Sequence, residues 1–204
     1  LDRLNLAGNT LLIVTSDNGG VLDNNGPDME HGIGSPDANE GHLFNGPLRG
    51  TKGSAYEGGT RVPFIARWPG RIPPGTSDAL ICHVDMLASF AALTGRKLPE
   101  ATGPDSINVL AALLGDKAGR EHLVEHAYGN VLALREGPWK LVPAAAADPG
   151  KGKRGGKRGP AATELYHLGD DLGETRDVAD RHPEVVREMT ARLEQIRERG
   201  RTRP

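Results

Sequence analysis

The first side chains in this 204-residue chain that could do chemistry together are an acid and an amide, Asp17 and Asn18, followed by two glycines. They come directly after residues 10–15, a short apolar run rich in β-branched residues that predicts a strand. Ligands of open α/β sheets bind beyond the carboxyl ends of the strands. Carboxylate and amide oxygens suit a hard cation such as Ca²⁺ or Mg²⁺. The alternative is a local Asn-Gly turn, and the pair alone leaves both interpretations open.

A second candidate is Lys52, which lies between Gly50 and Gly53 in the glycine-rich stretch 46–63. A lysine flanked by glycines can come close to a bound anion, whereas the alternative is a solvated loop lysine. The spacing G-x-x-x-x-G-K-[ST] is absent, which excludes a nucleotide-binding P-loop.

Other polar groups carry weaker signals. His31 and His42 lie in the long aperiodic stretch between the Asp17-Asn18 pair and Lys52. They could line a substrate entrance, but surface loop histidines are the favoured interpretation. The basic stretch 151–158 could likewise contact a sulfated polyanion, although a solvated insertion is favoured.

The elements that must position these residues alternate between strand and helix. The unbroken apolar run at 10–15 predicts a strand buried on both faces, as in a parallel α/β sheet. Residues 62–66 predict a second strand. A helix is predicted from Asp85, as the N-cap, to Gly95 just beyond its end, and a shorter one over 109–114.

The pattern changes after residue 119. Short strand candidates separated by turn signals predict an antiparallel meander; they are 123–127, 131–135, 139–142 and 165–168. A last amphipathic helix follows His182, with Pro183 in its first turn. We therefore predict an α/β domain over 1–119 and a small antiparallel sheet-plus-helix domain over 120–204, interrupted by a disordered insertion at 143–162.

Composition excludes several classes of protein. The formal charge is −2, from 25 basic and 27 acidic residues, which disfavours a nucleic-acid binder. The sequence shows no apolar run near the ~18 residues of a membrane span. Its single cysteine, Cys82, cannot form an internal disulfide and is predicted to be a buried structural thiol.

Several motifs, in this order along the chain, closely resemble the C-terminal part of type I sulfatases, which belong to the alkaline-phosphatase-like superfamily. The matching segments are Ser-Asp-Asn-Gly at 16–19, Pro-Leu-Arg-Gly-Thr-Lys-Gly at 47–53, Tyr-Glu-Gly-Gly-Thr-Arg-Val-Pro at 56–63, Trp-Pro-Gly at 68–70, His-Val-Asp-Met at 83–86, Trp-Lys-Leu at 139–141 and Glu-Leu-Tyr-His-Leu at 164–168. The Glu-Gly-Gly-x-Arg-Val-Pro stretch after Gly-x-Lys is the most diagnostic.

The resemblance implies a fold and a site. The fold would be the C-terminal portion of an alkaline-phosphatase-like mixed α/β sheet with a small antiparallel α+β C-terminal subdomain. Asp17 and Asn18 match two ligands of the family's calcium, which is occasionally magnesium. Lys52 matches the lysine that contacts the sulfate oxygens, where a cation offsets developing charge. Glu57 and Arg61 are assigned to fixing the loop.

The family's nucleophile does not match anything here. It is a formylglycine made from the first residue of a C/S-x-P-x-R motif, and that motif is absent from the sequence. His83 and Val84 follow Cys82, so Cys82 is not the precursor. The nucleophile and the remaining metal ligands are expected in an N-terminal half that acts as the partner of this chain, and the chain alone is expected to be inactive.

The resemblance therefore implies a fragment of a sulfuric ester hydrolase. Its substrate would be a sulfated small molecule or a sulfated glycan, with no nucleic acid and no membrane span involved, and family habit favours a periplasmic or secreted location. One alternative is a phosphonate or phosphate monoesterase of the same superfamily. Another is a noncatalytic binding protein that keeps a degenerate sulfatase half.

Overall fold

A computed structural model describes residues 1–20, 43–116, 118–144 and 162–203. The chain forms two compact units, and each is built from separate stretches of sequence. One unit comprises Leu1–Thr15, Pro63–Leu123 and Ala191–Pro204, and the other comprises Ser16–Val62 and Val124–Thr190. These units interleave along the chain, so neither of them corresponds to one continuous stretch of sequence. The domain boundary predicted after residue 119 stays a prediction.

The first unit contains a two-stranded ribbon. Strand β1 (Leu12–Thr15) pairs antiparallel with β2 (Phe64–Arg67), with Leu12 opposite Arg67. The prediction of a parallel strand buried on both faces is therefore wrong. The pairing is antiparallel, and Leu12 and Val14 are 42% and 54% exposed. The physical reason is that, among the described residues, β2 is the one strand that pairs with β1, so β1 lies at the edge of a two-stranded ribbon rather than inside a larger sheet.

Short turns precede β1. They are two 3₁₀ turns, Asp2–Leu4 and Ala7–Asn9. The indole Nε1 of Trp68 donates a hydrogen bond to the carbonyl oxygen of Gly8 at 2.9 Å. That bond ties the end of the ribbon to the turn before it.

Helix α2 (Asp85–Leu93) ends as predicted but begins differently. Gly95, beyond its last turn, has a φ of +68°, which glycine adopts without a Cβ penalty. Asp85 is the first helical residue rather than the N-cap, and its Oδ2 accepts a hydrogen bond from the backbone of Cys82 at 2.9 Å. Cys82 is half-buried rather than buried, because it lies in the turn before the helix.

The carboxylate of Asp85 is instead part of a buried polar network. Its Oδ1 lies 2.6 Å from Nη1 of Arg120, and both side chains are almost fully enclosed. Nη2 of Arg120 donates to the hydroxyl of Thr202 at 3.1 Å. Nearby, the short helix α3 (Leu110–Leu113) buries Leu113 in a small apolar cluster with Val109. The short helix was predicted, whereas the network was not.

The second unit is built on the predicted meander. Strands β3 (His122–Ala127), β4 (Val131–Glu136), β5 (Trp139–Val142) and β6 (Glu164–His167) lie side by side in chain order. β5 pairs antiparallel with both of its neighbours, β4 and β6. The core of this unit consists of buried side chains from the strands and the loops beside them: Ala55, Ala127, Val131, Ala133, Val142, Tyr166 and Leu168.

Two further helices complete the description. The four-residue helix α1 (Glu57–Thr60) lies in the glycine-rich loop, and its first three residues are buried. The final helix, α4 (Pro183–Arg199), follows a 3₁₀ turn at Ala179–Arg181, and it buries Met189, Leu193 and Ile196 along one face, as an amphipathic helix should. The four strands of the meander and this helix are therefore confirmed.

Some predictions fall on residues outside the described ranges. His31, His42 and most of the insertion predicted at 143–162 are among them. Within the described ranges, no helix combines the length and apolar character needed to cross a bilayer.

Candidate active site

The Asp17-Asn18 pair lies in a tight turn directly after β1. The hydroxyl of Ser16 donates to the carbonyl oxygen of Asn18 at 2.9 Å, and Nδ2 of Asn18 donates to the carbonyl oxygen of Gly19 at 2.9 Å. Because the amide uses its nitrogen here, its oxygen is the atom left for a cation. Asp17 is exposed and Asn18 is half-buried. The turn thus offers hard oxygen donors of the kind that calcium binds.

Close backbone packing joins this turn to α1. The N–H of Gly19 donates to the carbonyl oxygen of Gly59 at 3.0 Å. A Cβ added to Gly19 would overlap the carbonyl oxygen of Gly58 and lie 2.7 Å from its carbonyl carbon. Only glycine fits here, which explains the glycine after Asp17-Asn18 and the glycines after Glu57.

The loop that carries Lys52 is attached to the same turn. The N–H of Lys52 donates to the carbonyl oxygen of Gly20 at 3.1 Å. Asn45 adds a bridge, because its Oδ1 accepts from the N–H of Gly20 at 2.8 Å and its Nδ2 donates to the carbonyl oxygen of Gly50 at 3.0 Å. Gly50 and Gly53 both have a φ of +84°, so the glycines that bracket Lys52 are required by the backbone.

The structure therefore brings together the backbones of the Asp17-Asn18 turn and the Lys52 loop, and the side chain of Lys52 is exposed. Among the described residues, no three His, Cys, Asp or Glu side chains form a group that could hold a metal ion. Asp17 and Asn18 would supply only some of the six to eight oxygen ligands that calcium takes. The assignment of Asp17 and Asn18 to a metal, and of Lys52 to sulfate, stays a prediction.

Arg49, in the same loop, makes stabilising contacts that were not predicted from the sequence. Its Nη1 donates to the hydroxyl of Tyr166 at 2.6 Å and to the carbonyl oxygen of Glu174 at 3.2 Å. Its guanidinium carbon lies 3.8 Å from the centre of the Tyr56 ring, a cation–π contact. Arg49 thus connects the Lys52 loop to strand β6.

Glu164 accepts hydrogen bonds from two tyrosines in the same place. The hydroxyl of Tyr56 donates to its Oε2 at 2.8 Å, and the hydroxyl of Tyr166 donates to the same atom at 2.7 Å. Burial, with the bond to Glu164, raises the pKa of Tyr56 to about 12. The same causes raise the pKa of Tyr166. Both tyrosines therefore stay protonated and act as donors at neutral pH.

A buried cluster of charges lies beneath α1. Nζ of Lys140 is 2.7 Å from Oε2 of Glu125, 2.9 Å from Oε1 of Glu57 and 3.6 Å from Oε1 of Glu174. Arg61 donates to Oε2 of Glu57 at 2.9 Å, and Arg135 lies 3.7 Å from the same oxygen. We call these six residues the lysine–carboxylate cluster. The interpretation of Glu57 and Arg61 as loop-fixing residues agrees with these contacts.

Burial disfavours the charged form of each enclosed residue in the lysine–carboxylate cluster. The neighbouring charges then decide whether the pKa of that residue is raised or lowered. Burial would lower the pKa of Lys140, but Glu125 and Glu57 outweigh it and raise that pKa. Burial would raise the pKa of Glu57, but Lys140 outweighs it and lowers that pKa. For Glu125 burial prevails and its pKa is raised. Burial raises the pKa of Glu174 to about 7.

A cavity of about 360 Å³ lies elsewhere in the second unit. It is lined by Trp139, His167, Asp170, Asp171, Arg176, Val178 and His182. None of the predicted site residues lines it. The candidate active site is therefore the surface formed by the Asp17-Asn18 turn and the Lys52 loop rather than this cavity.

The chain is similar in sequence to known proteins. A family model described as Sulfatase matches residues 1–96. An N-acetylgalactosamine-6-O-sulfatase of Bacteroides thetaiotaomicron is 42% identical over 98% of this chain and 38% of its own length. Human arylsulfatase A is 33% identical over 91% of this chain and 37% of its own length.

Solved structures are similar to this chain over nearly its whole length. A sulfatase structure described under the metabolism of multiple glycosaminoglycans by Bacteroides thetaiotaomicron has a TM-score of 0.83 and 41% identity, over 96% of this chain and 40% of that one. A second structure, Ps i-CgsB, has a TM-score of 0.69 at 26% identity, over 96% of this chain and 38% of that one.

The α/β fold is of the alkaline-phosphatase-like type found in these structural neighbours, as the resemblance implied. The chain belongs to the sulfatase family. It spans about two fifths of the length of the relatives it matches.

Proposed function

We propose that the complete protein carrying this chain hydrolyses a sulfate monoester. The observation that carries the proposal is the attachment of the Lys52 loop to the Asp17-Asn18 turn through the backbone of Gly20. That attachment joins the backbone of Lys52, which carries a cationic side chain, to the end of the turn that carries two oxygen donors. A sulfate ester, which is an anion whose leaving oxygen gains charge as the S–O bond breaks, suits a site with these groups.

Asp17 and Asn18 would hold part of a calcium ion, or alternatively a magnesium ion. When bound, the cation would supply positive charge that offsets the charge of the sulfate group. Lys52 would contact a sulfate oxygen with its ammonium group and orient the ester. Gly19, Gly58 and Gly59 would keep these groups in place by backbone packing, because no side chain intervenes between them.

The nucleophile would come from a part of the complete protein outside this chain. By family resemblance it would be a formylglycine, whose hydrated aldehyde would supply a hydroxyl oxygen as the nucleophile. The residues of this chain would then hold the sulfate group during attack and departure of the alcohol. Asp17 and Lys52 therefore have binding and charge-stabilising roles, and neither is proposed to form a bond to sulfur.

For the substrate we propose a sulfated glycan, and in particular a 6-O-sulfated amino sugar. The support is the 42% identity, over nearly the whole chain, to an enzyme named N-acetylgalactosamine-6-O-sulfatase. A sulfated small molecule is the other candidate, since an arylsulfatase is 33% identical.

The test is to measure sulfate release by the purified complete protein with N-acetylgalactosamine 6-sulfate, with a chromogenic aryl sulfate and with the matching aryl phosphate. We expect release from the sulfates, strongest from the sugar, and loss of release after calcium is chelated. Faster hydrolysis of the phosphate would favour a phosphate monoesterase instead. No hydrolysis of any ester by protein with a matured nucleophile would reject the proposed function.

A further inference from the structure

Lys140 lies in the middle of the meander with its side chain fully enclosed, although it carries a charge. It belongs to β5, and its ammonium nitrogen lies within 3 Å of carboxylates from two different parts of the chain, Glu57 and Glu125. Glu174, from the segment after β6, is the third carboxylate at 3.6 Å. Three segments distant in sequence therefore meet at one atom.

Such a cluster is a costly way to fill a core. Taking charges out of water costs several kcal/mol per ion, and apolar side chains of similar volume often serve stability equally well. What the lysine–carboxylate cluster adds is a definite arrangement. The ammonium group has to face three carboxylates at once, and Glu57 also has to face Arg61 and Arg135.

Glu57 is held at its backbone as well as at its side chain. Its N–H donates to Oε2 of Glu174 at 2.7 Å, while its own Oε1 pairs with Lys140. Glu57 is also the first residue of α1. The cluster therefore fixes the starting point of the segment that contains Gly58 and Gly59.

Gly58 and Gly59 connect Glu57 to the Lys52 loop and to the Asp17-Asn18 turn through backbone hydrogen bonds. The N–H of Gly58 donates to the carbonyl oxygen of Arg49 at 2.7 Å, three residues before Lys52. The carbonyl oxygen of Gly59 accepts from Gly19, the residue after Asn18. A Cβ on Gly58 would come within 2.6 Å of the oxygen of Arg49, which shows how closely the two backbones pack.

We propose that Lys140 is a positioning residue for the active site. Through Glu57 it sets the backbone of Gly58 and Gly59, and that backbone aligns the Asp17-Asn18 turn with the loop of Lys52. The role rests on the proposed function, since it concerns the alignment of the groups assigned to metal and sulfate. Lys140 itself is enclosed by the protein and acts only through Glu57.

The test compares Lys140→Met with Leu193→Ala in the complete protein. Leu193 is a buried residue of α4 outside the contact path, and its truncation supplies a matched loss of core stability. The first measurement is amide hydrogen exchange at Gly19, Lys52 and Gly58. We expect exchange there to be at least tenfold faster in Lys140→Met, with the amides of α2 unchanged, and no such selective change in Leu193→Ala.

The second measurement is the calcium concentration that half-saturates the protein, followed by calorimetry rather than by turnover. The loss of a residue that orients a metal ligand, without binding the metal itself, typically lowers metal affinity by about 10–100-fold. We expect a rise of that size in Lys140→Met. The Leu193→Ala control should bind calcium as the wild type does.

A second variant covers the case in which Lys140→Met fails to fold. The double substitution Lys140→Met with Glu125→Gln removes one basic and one acidic group together, and Glu57 keeps its contacts with Arg61 and Arg135. We expect this variant to fold with much of its thermal stability restored while exchange at Gly19 and Lys52 stays fast.

The proposal is overturned if the lysine variants lose stability as the control does but keep wild-type exchange and wild-type calcium affinity. A wild-type protein that hydrolyses no sulfate ester would reject the proposed function alone. The hydrogen-exchange comparison would still decide the role of Lys140, because it depends on neither substrate nor turnover.

Discussion

Gly19 and Gly58 lie so close that the α-carbon of Gly19 has no space for a side chain: an added Cβ would overlap the carbonyl oxygen of Gly58. The contact joins the two most recognisable motifs of the sequence, Asp-Asn-Gly and Glu-Gly-Gly. Each motif therefore combines residues of different purposes. The polar residues are available for chemistry or for the buried cluster, and the glycines allow the two backbones to touch.

The first prediction concerns this contact. Gly19→Ala should lower the free energy of unfolding by about 1–3 kcal/mol, the usual cost of forcing extra atoms into a packed site. Gly75→Ala is the matched control, because a Cβ at Gly75 would meet nothing within 4 Å. Denaturant unfolding of the complete protein measures both. Equal stability of the two variants would show that the turn can move away from Gly58.

The second prediction concerns Lys52. Lys52→Ala should lower the turnover of sulfate ester by roughly 10²–10³, because one charge-stabilising group is lost from the transition state. Thermal stability should be unchanged, since the side chain is exposed. Lys97→Ala, another exposed lysine, is the control and should keep full activity. An unchanged rate in Lys52→Ala would remove this residue from the mechanism.

The third prediction concerns the buried pair of Asp85 and Arg120. Arg120→Met should destabilise the protein by about 3–5 kcal/mol, because it leaves the carboxylate of Asp85 buried without its partner. Arg67→Met removes an exposed partner of Asp2, 3.5 Å away, and should change stability by less than about 1 kcal/mol. The comparison is made by denaturant unfolding at pH 7. Similar small losses in both would mean that water reaches Asp85.

The fourth prediction concerns pH. The pKa of Glu174 is raised by burial to about 7 in the folded protein, from its usual 4.5. The folded state therefore holds this proton more tightly than the unfolded state, and stability is lost as the pH rises from about 4.5 through 7. Glu174→Gln, which resembles the protonated form, should gain stability relative to the wild type as the pH is raised.

The measurement is the melting temperature of wild type and Glu174→Gln at pH 5 and pH 8. The difference between the two proteins should move in favour of the variant at the higher pH. Glu194→Gln serves as the control, because Glu194 is an exposed residue that pairs with the exposed Arg197 in its own helix. A constant difference across the range would mean that Glu174 is ionised in the folded protein at both values.

The elements that the sequence predicted correctly are those whose signals are local. Helix α4 follows from the recurrence of Met189, Leu193 and Ile196, and α2 ends where Gly95 can take a positive φ. The strands of the meander are short, but turn residues such as Gly129 and Gly137, both with positive φ, separate them clearly. Each of these signals is complete within a few residues.

The long-range contacts could not be predicted in this way. Glu57 and Lys140 are separated by 83 residues, and a lysine within a strand ordinarily indicates a solvent face. Likewise, Asp85 has the residue type and position of an N-cap, but its carboxylate turns to Arg120, 35 residues away. Periodicity also failed for β1, whose apolar run indicated burial that the neighbouring strand β2 does not supply.

The packing of Gly19 against Gly58 and Gly59 has a consequence for protein engineering. The contacts that the turn and the Lys52 loop make with their neighbours use main-chain atoms of positions 19, 20 and 52, so the exposed side chains at positions 17 and 52 can be exchanged without disturbing those contacts. A library randomised at these two positions would sample new ion-binding and anion-binding chemistries on an unchanged scaffold. The same library placed at positions 19, 58 and 59 would yield mainly destabilised proteins, because a Cβ at each position meets backbone atoms.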